Sequence, residues 1–410
     1  MRSATSYSAY AFLKIGVEMT RPGGYGLFVL PHSFLIADSA RKMREFIAKK
    51  TWIRCLGDLS AIRVFPDSSS YIILLVFQRR DPAIGQTPPA TILKCNAFAG
   101  KALQETLDGH TTENSFYSIY KVNQDTFKAD DWVILPPAEA ALRSRFDKLP
   151  SISEFLEVRQ GFVSGRDDVF LLEKKLLPEG EQEAFVHYLP DRAIQRYTVP
   201  KTTNKYFFYP FENGEMIDEA GLKRRFKKTW AYLVENKDKL KKIPGRSKGS
   251  PWWSPARPRQ PEHLLRPKIV TPHLVFVPRF ALDAKGKYAV SRSPFLITRD
   301  RTGELELLKY FLAILNSTVC YWYISAHSHK YSRGYAMLEV KTLSGVPVPR
   351  PEEIDSKIMK RLLDLVDKRL KQEDAESRSI DRKLDMLVSN LYGLTEDEQR
   401  ALGIGDANGD

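Results

Sequence analysis

Between residues 223 and 268 the chain places 15 Lys or Arg against three acids, Glu235, Asp238 and Glu262, a local surplus of +12 beside a whole-chain charge of +13. Arg224 and Arg225, then Lys227 and Lys228, flank Phe226, and Lys237, Lys239, Lys241 and Lys242 follow on what reads as the same helix. Next comes RSKGSPWWSPARPRQ, residues 246–260, with Arg246, Trp252, Trp253, Arg257 and Arg259. Guanidinium groups suit two-pronged contacts to phosphate or guanine, and an indole can stack or wedge. Concentrated positive charge points to a polyanion, either nucleic acid or an anionic membrane surface. The same residues equally suit a solvated helix face and a loop whose Trp pair packs on its own domain.

A second candidate is a single ring. In VFPDSSSYIILLVF, residues 64–77, Phe65 stands at the lip of a nearly unbroken apolar strand. A Phe there either tucks beneath the turn or holds its π-face out to something flat. A third candidate, SAHSHKYSRGY at 325–335, carries His327, His329, Lys330 and Arg333. No further His or Cys lies at ligand spacing, so no metal is expected.

The elements that must position these residues follow from composition and periodicity. With 410 residues, 43% of them hydrophobic, the chain is globular and long enough for two or three domains. It has no run of 18 uninterrupted apolar residues, so no segment is expected to span a membrane, and its first residues lack the pattern of a signal peptide. Cys55, Cys95 and Cys320 are far apart and read as reduced thiols in the cytoplasm.

Tyr10, Leu13 and Val17 fall at helical spacing, and Arg21-Pro22-Gly23-Gly24 stops that helix. Gly26 to Leu30 reads as a strand buried on both faces of a parallel sheet. A helix over 38–49 and strands over 52–56 and 71–77 complete the tail of an open α/β sheet. Residues 81–150, rich in proline, read as an irregular connector with one helix at 138–146. Beyond 151, short strands separated by polar loops make an α+β region, with Gly161 and Gly165 in tight turns. One helix spans 305–323, a stiff proline-rich exit follows at 345–353, and two helices over 354–370 and 382–392 end at Gly393.

EMTRPGGYGLFVLPHSFLIADSARKMREFIAKKTWIRCLGDLSAIRVFPDSSSYIILLVF, residues 18–77, resembles the second half of a DNA adenine-N6 methyltransferase domain of the gamma-class, TaqI-like and type IIG group. The carriers are Pro22 to Gly24, the strand from Gly26, the Pro31 to Phe34 segment, Ala40 to Ile47, and the turn at Phe65. VRQGFVSGRDDVFLL, RPKIVTPHL, YFLAILNSTVCYWYI and LEVKTLSGVPVPRP resemble, in order, the TaqI-like specificity domain, and LDMLVSNLYGLTEDE resembles the family's tail. The resemblance implies an α/β then α+β chain. A partial Rossmann-like methyltransferase sheet lacking its N-terminal, cofactor-binding strands (1–80) precedes a connector (81–150), a target recognition domain (151–350) and a helical tail (351–410). It also implies that Phe65 stacks on an adenine flipped out of double-stranded DNA. Such stacking is worth about 1–3 kcal/mol, comparable with the cost of extrusion. The cations named above, with Lys330 and Arg333 in a basic loop, would then contact the duplex.

Two parts of the family's chemistry have no counterpart in this sequence. One is the Gly-rich strand-to-helix loop that holds S-adenosylmethionine. The other is Asn-Pro-Pro-Tyr, since Pro136-Pro137 follows Leu135 and lacks the polar acceptor. The expectation is that S-adenosylmethionine serves a complete enzyme, while this chain alone binds none, transfers no methyl group and holds no catalytic residue. An N-terminal methyltransferase half or subunit is the expected partner, because Gly26 to Leu30 would otherwise form an open apolar edge. The setting would be restriction–modification or phage defence. A stand-alone DNA-specificity module, and an RNA-binding protein using the same basic surface, are the alternatives.

Overall fold

The computed structural model describes residues 4–65, 71–83, 85–128, 131–331, 335–372 and 375–404. They divide into two units, residues 1–147 with 323–337, and residues 148–322 with 338–410.

In the first unit the order is α1 (Ala4–Met19), β1 (Tyr25–Pro31), α2 (Arg41–Lys50), β2 (Thr51–Asp58), β3 (Ile72–Arg79), β4 (Ala90–Cys95), α3 (Gly100–Leu107), β5 (Thr112–Glu113), β6 (Tyr117–Val122) and α4 (Pro137–Phe146). The strands make one mixed sheet, β1-β3-β2-β4-β6-β5. β1, β2 and β4 run one way, with β3 and β6 against them.

Two sequence expectations change here. β1 is not a doubly buried strand of a parallel sheet; it is an antiparallel end strand. Leu30 is buried, whereas Tyr25, Leu27 and Val29 are 61%, 61% and 47% exposed. On its covered face α1 presses so close that a Cβ on Gly16 would lie 2.4 Å from the Phe28 ring. The stretch 81–150 is not an irregular connector either. Pro82, Pro88 and Pro89 precede β4, and β4, β5 and β6 extend the same sheet.

Arg44 of α2 is buried, and its Nη1 donates to the carbonyls of Phe34 (2.7 Å) and Ala37 (3.0 Å). It thereby fixes the segment that leaves β1. On α1, Leu13 and Val17 are buried, while Phe12, Ile15 and Met19 form an exposed stripe.

The second unit contains β7 (Leu156–Gln160), α5 (Asp167–Phe170), β8 (Leu171–Glu173), β9 (Phe185–Tyr188), β10 (Lys205–Phe208), β11 (Phe211–Glu212), β12 (Glu215–Met216), α6 (Glu219–Arg225), α7 (Lys227–Glu235), α8 (Lys237–Lys241), α9 (Pro261–Leu264), β13 (Lys268–Val270), β14 (Leu274–Val275), β15 (Ala281–Asp283), β16 (Tyr288–Ala289), β17 (Pro294–Thr298) and α10 (Glu304–Leu315). Two four-stranded sheets, β16-β9-β10-β8 and β15-β13-β17-β7, are built from these strands. Their shared core is aromatic, with Phe162 stacked on Phe207 at 3.6 Å. The buried α10 packs on β13, β15 and β17, and helices Ser356–Arg369 and Ala375–Leu391 pack against it in turn.

The single helix expected over 305–323 is two, α10 and then α11 (Thr318–His327). Asn316 turns its side chain onto Phe280, accepting from its N–H at 3.0 Å and donating to its carbonyl at 2.9 Å. Ser317 Oγ then accepts from the N–H of Cys320 at 3.1 Å, in the first turn of α11. No single described helix is long and apolar enough to cross a membrane. The apolar character of α10 reflects its burial in the core.

Candidate nucleic-acid interface

β1 and β2 end at the same rim of the first sheet, on either side of the start of β3. His32 N–H donates to Tyr71 O at 2.7 Å and Leu59 N–H to Ile72 O at 3.2 Å. His32 Nε2 lies 3.8 Å from Asp58 Oδ2, and Ser60 N–H donates to Asp58 Oδ1 at 2.9 Å. Burial pushes the Asp58 carboxyl up, but His32, Ser60 and Lys94 together hold it below the ordinary carboxylate range. These contacts pin the root of the turn that carries Phe65. Leu59 and Ile62 fill the underside of that turn, against a cluster holding Leu93, Cys95, Tyr117 and Ile119. Phe65 is left 48% exposed. The ring is thus not the plug that seals the sheet; Leu59 and Ile62 serve that purpose. Residues 66–70 lie outside the described residues.

His327 stacks on Tyr323 at 4.1 Å, and its Nδ1 lies 2.8 Å from the Tyr323 carbonyl. Burial holds its pKa below the usual histidine value. Lys330 lies on the short strand His329–Tyr331, whose side chains are not described, and Arg333 lies outside the described residues.

In the second unit the basic segment is three short helices, not one. Leu222, Phe226, Leu233, Leu240 and Ile243 anchor α6, α7, α8 and the turn after them in the core. That periodicity turns the cations outward. Asp218 caps α6, accepting from Gly221 N–H at 2.7 Å. Glu181 reaches over to cap α7, accepting from Lys228 N–H at 2.9 Å and from the Thr229 N–H and hydroxyl at 2.7 Å each.

The predicted contact residues have different fates. Arg224, Lys227, Lys241 and Lys242 are exposed, with no carboxylate in ion-pair range among the described residues. Arg225 pairs with Glu212 at 2.7 Å and with Glu183 at 3.8 Å, and Lys228 pairs with Glu179 at 3.6 Å. Trp253 is 2% exposed and belongs to the core, so its ring offers no stacking or wedging surface. Trp252 is half-buried, tilted against Trp230 at 5.5 Å, with the Lys237 ammonium 5.0 Å from its centre. Arg246 is a fastener: it donates to Leu240 O at 2.8 Å near the end of α8, and burial lowers its pKa.

Arg257 and Arg259 leave this helical face and line a cleft of about 510 Å³ together with Arg159, Gln160, Phe211 and His263. The last four were not singled out in the sequence. Arg159 stands there only within the stretch VRQGFVSGRDDVFLL, and no local signal marks it as a ligand.

The glycines of the first unit do not fit a methyl-donor site. A donor loop needs glycine in the turn from a strand's C-terminal end into a helix. Residues 32–40 after β1 contain no glycine, and the first glycine after β4, Gly100, is exposed, already opens α3, and would accept a Cβ with nothing within 4 Å. Gly23 and Gly24 lie at the opposite end of the sheet, before β1. No step through S-adenosylmethionine can be built on these residues.

Residues 194–348 match the TaqI-like C-terminal specificity domain. The chain's relatives are type II methyltransferases and restriction–modification enzymes. The type II methyltransferase M.BanIII of Aneurinibacillus aneurinilyticus is 21% identical over 414 residues, covering 94% of this chain and 70% of the relative. The type II restriction enzyme and methyltransferase RM.Eco57I of Escherichia coli is 18% identical over 434 residues, covering 94% of this chain and 42% of the relative. Among solved structures, the type IIL restriction–modification enzyme MmeI, determined in complex with DNA, shares the fold. Its TM-score is 0.59 at 13% identity, over 97% of this chain and 50% of MmeI. The chain therefore spans 70% of one curated relative and less than half of the other.

Proposed function

We propose that this chain is the DNA-recognition and base-stacking part of a site-specific adenine-N6 methyltransferase, in restriction–modification or phage defence. The observation that carries the reading is the overlap between the specificity domain, 194–348, and the outward-facing cations of 223–268. Arg224, Lys227, Lys241 and Lys242 hold the duplex through its phosphates, and Phe65 receives the everted adenine. S-adenosylmethionine and the catalytic Asn-Pro-Pro-Tyr come from an N-terminal half or subunit. The uncovered apolar faces of β1 and α1 support a partner that extends the sheet past β1.

The test is a pair of measurements on the purified chain. Anisotropy titrations against duplex DNA, single-stranded DNA and structured RNA should favour the duplex, with steep salt dependence. Tritium transfer from S-adenosylmethionine to DNA should be absent for the chain alone and appear when the N-terminal half is added. Transfer by the chain alone sinks the divided-enzyme reading. Duplex binding that no N-terminal half converts into transfer favours a stand-alone specificity module.

A further inference from the structure

The cleft lined by Arg159, Arg257 and Arg259 is a built site, and its electrostatics are unbalanced. Ala256 and Arg257 run alongside the chain that leaves β7. Val163 N–H donates to Arg257 O at 2.9 Å, Arg257 N–H to Val163 O at 2.8 Å, and Ala256 N–H to Ser164 O at 3.0 Å. Arg257 therefore stands on fixed backbone. Arg259 is fixed more tightly. Its φ is +69°, in the left-handed region that non-glycine residues rarely adopt, and its carbonyl accepts from the Tyr209 hydroxyl at 2.7 Å. Its Nε donates to Gly161 O and its Nη2 to Gln160 Oε1, each at 3.1 Å. Gly161 can present that carbonyl because it lacks a Cβ, which would lie 2.2 Å from Val290 O.

The charges around the cleft sort into two groups. Arg159 is answered by Glu157, with Nε 2.7 Å from Oε2, and His263 Nε2 lies 3.2 Å from a Glu262 oxygen. Arg257 and Arg259 meet no carboxylate among the described residues. The partners of Arg259, a peptide carbonyl and a side-chain amide, are neutral, and among the described residues no hydrogen bond engages its Nη1. Burial, with Arg257 and Arg159 nearby, depresses its pKa. The arrangement is a pre-aimed guanidinium and a second, exposed one at the mouth of one concavity, with no resident counter-charge.

We propose that this cleft clamps one backbone phosphate of the duplex, Arg259 by its free end and Arg257 from the side. The inference rests on the DNA-recognition reading above and adds the site and the chemical group. Phosphates are the protruding groups of a duplex and can enter a concavity, whereas base edges are recessed in grooves about 8.5 Å deep. A guanidinium held by its side edge keeps its end for a two-pronged contact. The strained backbone of Arg259 is consistent with a position held for binding.

The experiment is a salt series on a fluorescein-labelled duplex of arbitrary sequence, comparing wild type, Arg257→Gln and Arg259→Gln. Each substitution should weaken binding about tenfold at low salt, the loss of one charge-assisted contact. Each should also lower the slope of log K against log[KCl] by about one. Arg257→Gln removes no described side-chain contact, so it tests the site even where Arg259→Gln unsettles the loop. If wild type binds with a steep slope and Arg257→Gln matches it in affinity and slope, the clamp is wrong and the DNA reading stands. If the loss appears only for certain sequences drawn from a random pool, with the slope intact, the cleft reads bases, and the phosphate assignment falls. If wild type ignores duplex DNA, both fall together.

Discussion

Lys268 and Asp283 face each other across β13 and β15, and Nζ sits 2.7 Å from Oδ2 with the two side chains 0% and 2% exposed. Substituting Met for Lys268 removes the counter-charge and leaves the carboxylate in the core. Two donors remain to it, the N–H groups of Lys287 (3.0 Å) and Tyr288 (2.9 Å). Breaking a buried pair from one side costs about 3–5 kcal/mol. For a unit of this size each kcal/mol moves the melting point by about 2–4 °C, so the second unit should melt roughly 6–20 °C lower. Burial is the dominant influence on the Lys268 ammonium and outweighs Asp283, so its pKa lies below the usual lysine value. The pair is therefore itself costly to bury. Lys268→Met with Asp283→Leu should recover at least half of the loss. Calorimetric melting of wild type, Lys268→Met, Asp283→Leu and the double variant decides the matter. A single-variant loss below about 1 kcal/mol, or a double variant worse than the sum of the singles, refutes the reasoning. The consequence reaches the cleft, because β13 pairs with β17 and β17 with β7, the strand that bears Arg159 and Gln160.

Three further outcomes are expected. Burial raises the Glu181 carboxyl, but the Lys228 and Thr229 N–H groups and the Thr229 hydroxyl outweigh it and hold the pKa below the ordinary value. Its contribution is complete above the unfolded value near 4.3 and is lost as pH falls through the depressed folded value. Glu181→Gln should thus cost about 2 kcal/mol at neutral pH and flatten the acid limb of the urea midpoint between pH 5 and 3, and an unchanged limb counts against it. Gly161→Ala should destabilise the second unit by about 1–3 kcal/mol through the contact with Val290 O, and it should weaken duplex binding by displacing the carbonyl that holds Arg259. Phe65→Ala should leave stability within about 0.5 kcal/mol, since the ring is exposed, yet lower methyl transfer by the assembled enzyme by the equivalent of about 1–3 kcal/mol, with Phe65→Trp restoring it. Wild-type transfer from Phe65→Ala would discard the stacking role.

Local chemistry was readable in the sequence; pairing across distance was not. The helix stop at Gly23 and Gly24, the surface setting of Phe65 and the helix end at Gly393, with φ +65°, follow from residues within a few positions of each other. The sheet strands at 90–122 were hidden because prolines before β4 looked like a continuing loop, and only pairing with β2 makes that segment a strand. Trp252 and Trp253 are neighbours of identical type, yet Trp253 is sealed in the core while Trp252 lies half-buried at its edge. Nothing in a loop of no fixed period tells which one turns inward.

The same limit governs the charge count, and it sets a bound on binding. Of the 15 cations in 223–268, six have a carboxylate within 4.0 Å among the described residues: Lys223, Arg225, Lys228, Lys239, Arg266 and Lys268. Their partners, Glu219, Glu212, Glu179, Asp168, Glu304 and Asp283, all lie outside the segment, so no local window could have paired them. Nine cations remain, and Arg246 among them is already engaged with Leu240 O. A contact that releases counterions contributes about −0.9 to the salt slope on a duplex, so this segment can supply at most about −7 from the other eight. The sequence total of 15 would have allowed nearly twice that. A measured slope steeper than about −7 for duplex binding would require cations outside 223–268, and a value between about −2 and −7 is what the pairing pattern predicts.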